Sequence, residues 1–139
     1  MLFNGSIKNY QDLEVYQKTL AASFEIGKDI VPLLPSREGE DLAEQLRFSS
    51  QEIPRLIAEV YFKRENGFAP YLDEALTQVN EMIVWLSAVK EAYSKYVDSA
   101  KAQRLMRIYG RCAKAIYRLG KKLTRTQLSN TVFSKPFVR

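Results

Sequence analysis

The chain has 139 residues, 46% of them hydrophobic and 27% charged, with a net charge of +5. That size and apolar fraction suit one domain, 1–139, with a real core. No long apolar run is present to span a membrane, a single cysteine excludes an internal disulfide, and the absence of histidine removes the commonest general base and most zinc sites.

The N-terminal stretch MLFNGSIKNYQDLEVY has neither a basic n-region nor an apolar h-region. We therefore expect no signal peptide and a cytoplasmic location, which a lone cysteine also fits. Residues 1–9 read as an arm, with Gly5 and Asn9 as breakers. The first helix is predicted from Gln11 or Asp12. Its apolar row is Leu13, Tyr16, Leu20, Phe24, Gly27, Val31 and Leu34, in steps of three and four. Pro32 and Pro35 predict an irregular last turn.

Ser36 is the predicted N-cap of the second helix, with Glu38, Glu40 and Asp41 suited to the positive end of its dipole. The row Leu42, Leu46, Ser49, Ile53, Leu56, Ile57 and Val60 carries this helix to about Lys63. Pro54 lies inside it and predicts a kink opposite Ser50, before Asn66 and Gly67 end it. Pro70 suits the first turn of a third helix reaching Tyr93 or Ser94, with Leu72, Ala75, Leu76, Val79, Met82, Ile83, Leu86 and Val89 as its core row. Residues 82–86, Met-Ile-Val-Trp-Leu, are apolar on every side, so Val84 and Trp85 are expected at a subunit interface. The plainer reading packs them under the arm or the tail.

Asp98 is the predicted N-cap of the fourth helix, which runs to about Arg125. One row, Leu105, Tyr109, Cys112, Ile116, Leu119 and Leu123, is built for a core. Cys112 within it reads as packing rather than reactive. Roughly 150° around the helix stands a second row: Lys101, Arg104, Arg107, Arg111, Lys114, Arg118, Lys121, Lys122 and Arg125. All 16 Asp and Glu lie at or before Asp98, so residues 99–139 hold 11 basic side chains and no acid. A helix dipole favours cations only in its last turn, whereas this stripe runs about six turns, so we read it as a polyanion-facing surface. Residues 126–139 lack helical period and are expected to form a tail. Four helices joined by short connections predict an all-α fold, an antiparallel up-down-up-down four-helix bundle.

Taken in order, DLEVYQKTLAASFEI (12–26), LP..E...L..QLR (34–47), IP..IAE (53–59) and YLDEAL with Glu81 beyond it resemble the four helix bundle proteins encoded in intervening sequences of bacterial 23S rRNA genes. The accessory variability determinant of diversity-generating retroelements is a relative of that group. The resemblance covers about residues 10–95, with Tyr16, Gln17, Gln45, Arg47, Ile53, Pro54, Ile57, Ala58 and Glu59 at matching positions. It implies a ring-shaped homopentamer with a basic surface. Its retroelement relatives bind nucleic acid and partner a reverse transcriptase. The chain departs from the pattern at Leu56 and Val60, where Asn and Gly are usual, and at Thr77 and Gln78, where Gly-Ser is usual.

No phosphate-cradling glycine loop or convincing metal-ligand spacing is evident, so we read a non-enzyme without cofactor or metal. Glu59 reads as a structural carboxylate paired with an Arg such as Arg47 or Arg55, within or between subunits. The expected partners are RNA or DNA bound through phosphates, further copies of the chain and, as the resemblance implies, a reverse transcriptase, with no membrane. Tyr117 only borders the basic face, so stacking is not expected to dominate and binding should tolerate sequence changes. The alternative is a protein-interaction scaffold, its basic face docked on an acidic partner or on the acidic helix 36–44 of another subunit.

Overall fold

The structure, a computed structural model, describes residues 9–134, with side-chain surroundings for 9–128. Four helices make up the fold: α1 (Glu14–Glu25), α2 (Glu40–Phe62), α3 (Ala69–Ala92) and α4 (Ser99–Ser134). No strand occurs among the described residues, so the predicted all-α class holds. The neighbours are α1 with α2, α2 with α3, α3 with α4, and, more sparsely, α1 with α4. The expected N-terminal arm lies outside the described residues except for Asn9.

The chain enters α1 through a 3₁₀ turn, Tyr10–Asp12. Asn9 caps that turn: its side-chain oxygen accepts from the Gln11 amide at 2.8 Å, and the Asp12 carboxylate accepts from the Asn9 amide at 3.3 Å. The predicted apolar row of the first helix holds at its ends, where Leu13 and Leu34 are buried, and requires correction between them. Val15, Thr19, Ala22, Ser23, Ile26 and Ile30 are buried there instead, whereas Tyr16, Leu20 and Val31 are half-buried, Phe24 is 67% exposed and Gly27 is exposed. Thr19 and Ser23 tolerate burial because their hydroxyls donate back to carbonyls of their own helix. Thr19 reaches Val15 at 2.9 Å and Ser23 reaches Leu20 at 2.7 Å. A π-helical turn, Ile26–Ile30, then keeps both isoleucines inward, and a 3₁₀ turn, Val31–Leu33, ends the segment at the prolines.

Ser36 does not cap α2. Residues 36–39 form a turn instead, and the helix starts at Glu40 with Gly39 before it and Glu40 and Asp41 in its first turn. The Gly39 amide donates to the Pro35 carbonyl at 2.9 Å. A Cβ on Gly39 would stand 2.9 Å from that same oxygen and 3.0 Å from Leu34 Cβ. Gly39→Ala should therefore lower stability by about 1–3 kcal/mol, the more so because alanine is a poorer N-cap than glycine. Urea unfolding checks this, with a reduced midpoint and an unchanged slope. Gly67, with φ of 93°, makes the turn after α2.

The expected row of α2 is largely buried, Pro54 included, and the helix continues through the proline. Ser50, at i−4 from it, turns its hydroxyl onto the Arg47 carbonyl at 3.2 Å. Leu56 and Val60, two of the departures from the family pattern, are both buried in the core. On α3, Ala75, Val79, Met82, Leu86 and Val89 are fully buried, and Gln78, which the row missed, is largely so; its side-chain amide donates to Glu74 at 2.8 Å.

On α4 the predicted core row is correct, with Leu105, Tyr109, Cys112, Ile116 and Leu123 buried and Leu119 half-buried. The helix is longer than predicted: it runs through residues 126–134, where a tail was expected. No proline or glycine interrupts 126–134, Thr126 donates to the Lys122 carbonyl at 2.9 Å, and Gln127 donates to the Glu65 carbonyl at 3.0 Å. The remainder of the expected tail, 135–139, lies outside the described residues.

Tyr109 sits at the centre of the core with its hydroxyl buried and without a hydrogen-bond partner among the described residues. Replacing it by phenylalanine removes a desolvated hydroxyl at constant packing. It should raise stability by about 1 kcal/mol, roughly 3 °C in Tm by calorimetry. Burial pushes both the Tyr109 phenol and the Cys112 thiol above their usual pKa values. For such acids the folded state holds the proton more tightly than the unfolded state does. Their contribution is complete below the unfolded pKa, about 8.5 for the thiol and about 10 for the phenol, and declines as pH rises above it. Stability should thus fall in alkali by up to about 1.4 kcal/mol per pH unit for each group, and Tyr109→Phe should flatten the upper part of that decline.

Candidate polyanion-binding face

Asp98 begins α4 as predicted, its carboxylate accepting from the Ala100 amide at 2.9 Å. From there one side of the helix is committed to the core and the other to cations. Arg104, Arg107, Arg111, Lys114, Arg118, Lys121, Lys122 and Arg125 are exposed, and Lys101 is half-buried. At 1.5 Å per residue, Arg107 to Arg125 spans about 27 Å.

The nine predicted residues do not form one uniform stripe. Lys101 pairs with Asp29 at 3.5 Å and Arg104 pairs with Glu25, so α1 and the π-helical turn after it supply acids that α4 itself lacks. Such partly exposed pairs are worth roughly 0–1 kcal/mol, but they neutralise the first turn of the stripe. Glu25 ends α1 and Asp29 lies four residues on in the π-helical turn, a spacing that marks one helical face and was legible in the sequence; its meeting with α4 was not.

The other seven cations form no ion pair among the described residues. They divide by position. Arg111, Arg118 and Lys122 line a groove of about 680 Å³ between α1 and α4, joined there by Lys18. Arg107, Lys114, Lys121 and Arg125 do not line it. Small and apolar side chains, among them Ala21, Ala115, Ile108 and Leu119, separate the two helices along the groove. The Cys112 thiol also lines it, yet is only 3% exposed.

Tyr117 borders the cationic face and is 58% exposed, with the Lys121 ammonium 5.5 Å from its ring centroid. Val84 is 60% exposed, whereas Trp85 is half-buried against the core with its indole N–H lacking a partner among the described residues. Within the chain Glu59 forms neither expected ion pair among the described residues: Arg55 bonds Glu52 instead, at 2.7 Å. The reason is local, since Glu52 stands three residues from Arg55 on the same helical face. Among the described residues no three Cys, Asp or Glu side chains gather where they could hold a metal ion, and no helix is long and apolar enough to cross a membrane.

This arrangement is a row of cations along one side of α4, which attracts extended anions by charge. No curated protein and no solved structure matches the chain. Residues 11–125, which include all four helices as far as the end of the cationic stripe, match the family model of the 23S rRNA-intervening sequence protein, and the chain belongs to that family.

Proposed function

We propose that the protein is a non-catalytic, nucleic-acid-binding homo-oligomer, an up-down-up-down helix bundle that holds phosphates along α4. The observation that carries this reading is the run of seven exposed cations from Arg107 to Arg125 with no acid paired to them among the described residues. Over about 27 Å such a row faces about eight phosphates of one duplex strand, at 3.4 Å each along the axis. Neutralising them releases condensed counterions, which gives affinity that is steep in salt and indifferent to sequence. The bundle reading is supported by contacts at the ends of the helices. Lys90 of α3 donates to Gln103 of α4 at 2.7 Å, and Gln127, far along α4, reaches the turn between α2 and α3.

The test is a fluorescence anisotropy titration of labelled single- and double-stranded RNA and DNA at several salt concentrations. Tight binding that weakens linearly in log salt is expected; no binding at low salt would overturn the reading. A scaffold docking an acidic protein is the second reading. It is favoured by Lys101 and Arg104, which already hold carboxylates against this face.

A further inference from the structure

The groove between α1 and α4 and the outward face of α2 are complementary in both charge and chemistry. The groove has an apolar floor and a rim on which Arg111, Arg118 and Lys122 have no acid paired to them among the described residues. The two other ionic contacts at its edge, Lys18 with Glu14 and Arg104 with Glu25, are already neutral pairs. Any surface that fills it must therefore bring an apolar anchor flanked by negative charge.

The N-terminal half of α2 has that composition. Phe48 is 55% exposed, a large apolar side chain with most of its surface in water. Glu44 lies four residues before it and Asp41 seven, which places all three on one helical face. No Lys or Arg occurs from Glu38 through Leu46, and neither Asp41 nor Glu44 takes part in an ion pair among the described residues. Lengths also agree. Asp41 to Glu52 extends about 17 Å, within the roughly 21 Å from Ile108 to Lys122 along the groove.

We propose that the occupant of the groove is a second copy of this chain, seated by the Asp41–Glu44–Phe48 face of its α2. The inference rests on the reading that the chain self-associates, and it names the surfaces that do so. Phe48 is the desolvated anchor at the centre, and Asp41 and Glu44 meet Arg111, Arg118 and Lys122 at the wetter rim, where charge sets register and partner. Because α2 is not a wall of the groove, each copy presents one donor face and one acceptor groove. The contact is heterologous, and repetition of it closes a ring or extends a filament rather than making a two-fold dimer. It also divides the stripe: three cations serve the subunit contact, and Arg107, Lys114, Lys121 and Arg125 stay free for phosphate.

Sedimentation velocity on the full chain tests this. Wild type is expected to assemble at high micromolar concentration. Phe48→Ala, the pair Asp41→Arg with Glu44→Arg, and the pair Arg111→Glu with Arg118→Glu should each fall to the 16.0 kDa protomer mass with helical circular dichroism retained. Mixing the two charge-reversed proteins should restore assembly, because every donor face then finds a groove of opposite charge. A wild type that stays monomeric overturns both the self-association and this interface. An assembled wild type whose mass the charge reversals leave unchanged overturns the interface alone, as does a mixture of folded variants that fails to reassemble.

Discussion

Changing Arg107, Lys114, Lys121 and Arg125 together to glutamine should lower affinity for duplex nucleic acid by about 10²–10³-fold near physiological salt. It should also flatten the salt dependence by about 3–4 units of slope. The estimate follows from counterion release: each lost phosphate contact removes about 0.9 from the slope, and roughly 1 kcal/mol at that ionic strength. These four are chosen because they are exposed, unpaired among the described residues and clear of the α1–α4 groove. The matched control is Lys101→Gln with Arg104→Gln. Asp29 and Glu25 already neutralise those two side chains, so their loss should change affinity by less than about threefold. Anisotropy titrations at four or more salt concentrations read both quantities. Equal losses from the two variants would mean that position along α4 does not matter, and that net charge alone governs binding.

Ile26→Ala should cost about 2–5 kcal/mol of folding stability, while Phe24→Ala should cost no more than about 0.5 kcal/mol. Ile26 is fully enclosed, so its truncation leaves a cavity; Phe24 is two-thirds exposed, so its truncation leaves none. The apolar row read from the sequence, which includes Phe24 and not Ile26, ranks the two sites the other way. Chemical unfolding below the concentration of self-association separates them, since assembly would add a concentration-dependent term to either value. A larger loss for Phe24→Ala would show that α1 packs with the face read from sequence.

Membership of the 23S rRNA-intervening sequence protein family covers the four-helix region and agrees with the resemblance carried by residues 10–95. It places the core positions and the cationic stripe within one inherited unit. The binding chemistry is argued from the stripe itself.

α4 was legible from its sequence almost entirely. Its apolar and basic rows are long, regular and well separated, and an Asp stands where the first amides need an acceptor. Its end was not legible, because residues 126–134 lack amphipathic period, and their continuation depends on an unbroken helix and on the reach of Gln127 to Glu65. The face of α1 was misread for a different reason. Counting apolar side chains selects Tyr16, Leu20 and Phe24, whereas the fold buries Thr19 and Ser23, whose hydroxyls are satisfied within their own helix. By itself, then, the sequence determined the helix class, the core row of α4 and the segregation of charge, because these follow from periodicity along single helices. Only the tertiary structure decided which cations are neutralised, which line a groove and which remain open. Those outcomes depend on Glu25, Asp29 and Lys18 arriving beside α4 from a helix more than seventy residues earlier in the chain, and no spacing within either helix records that meeting.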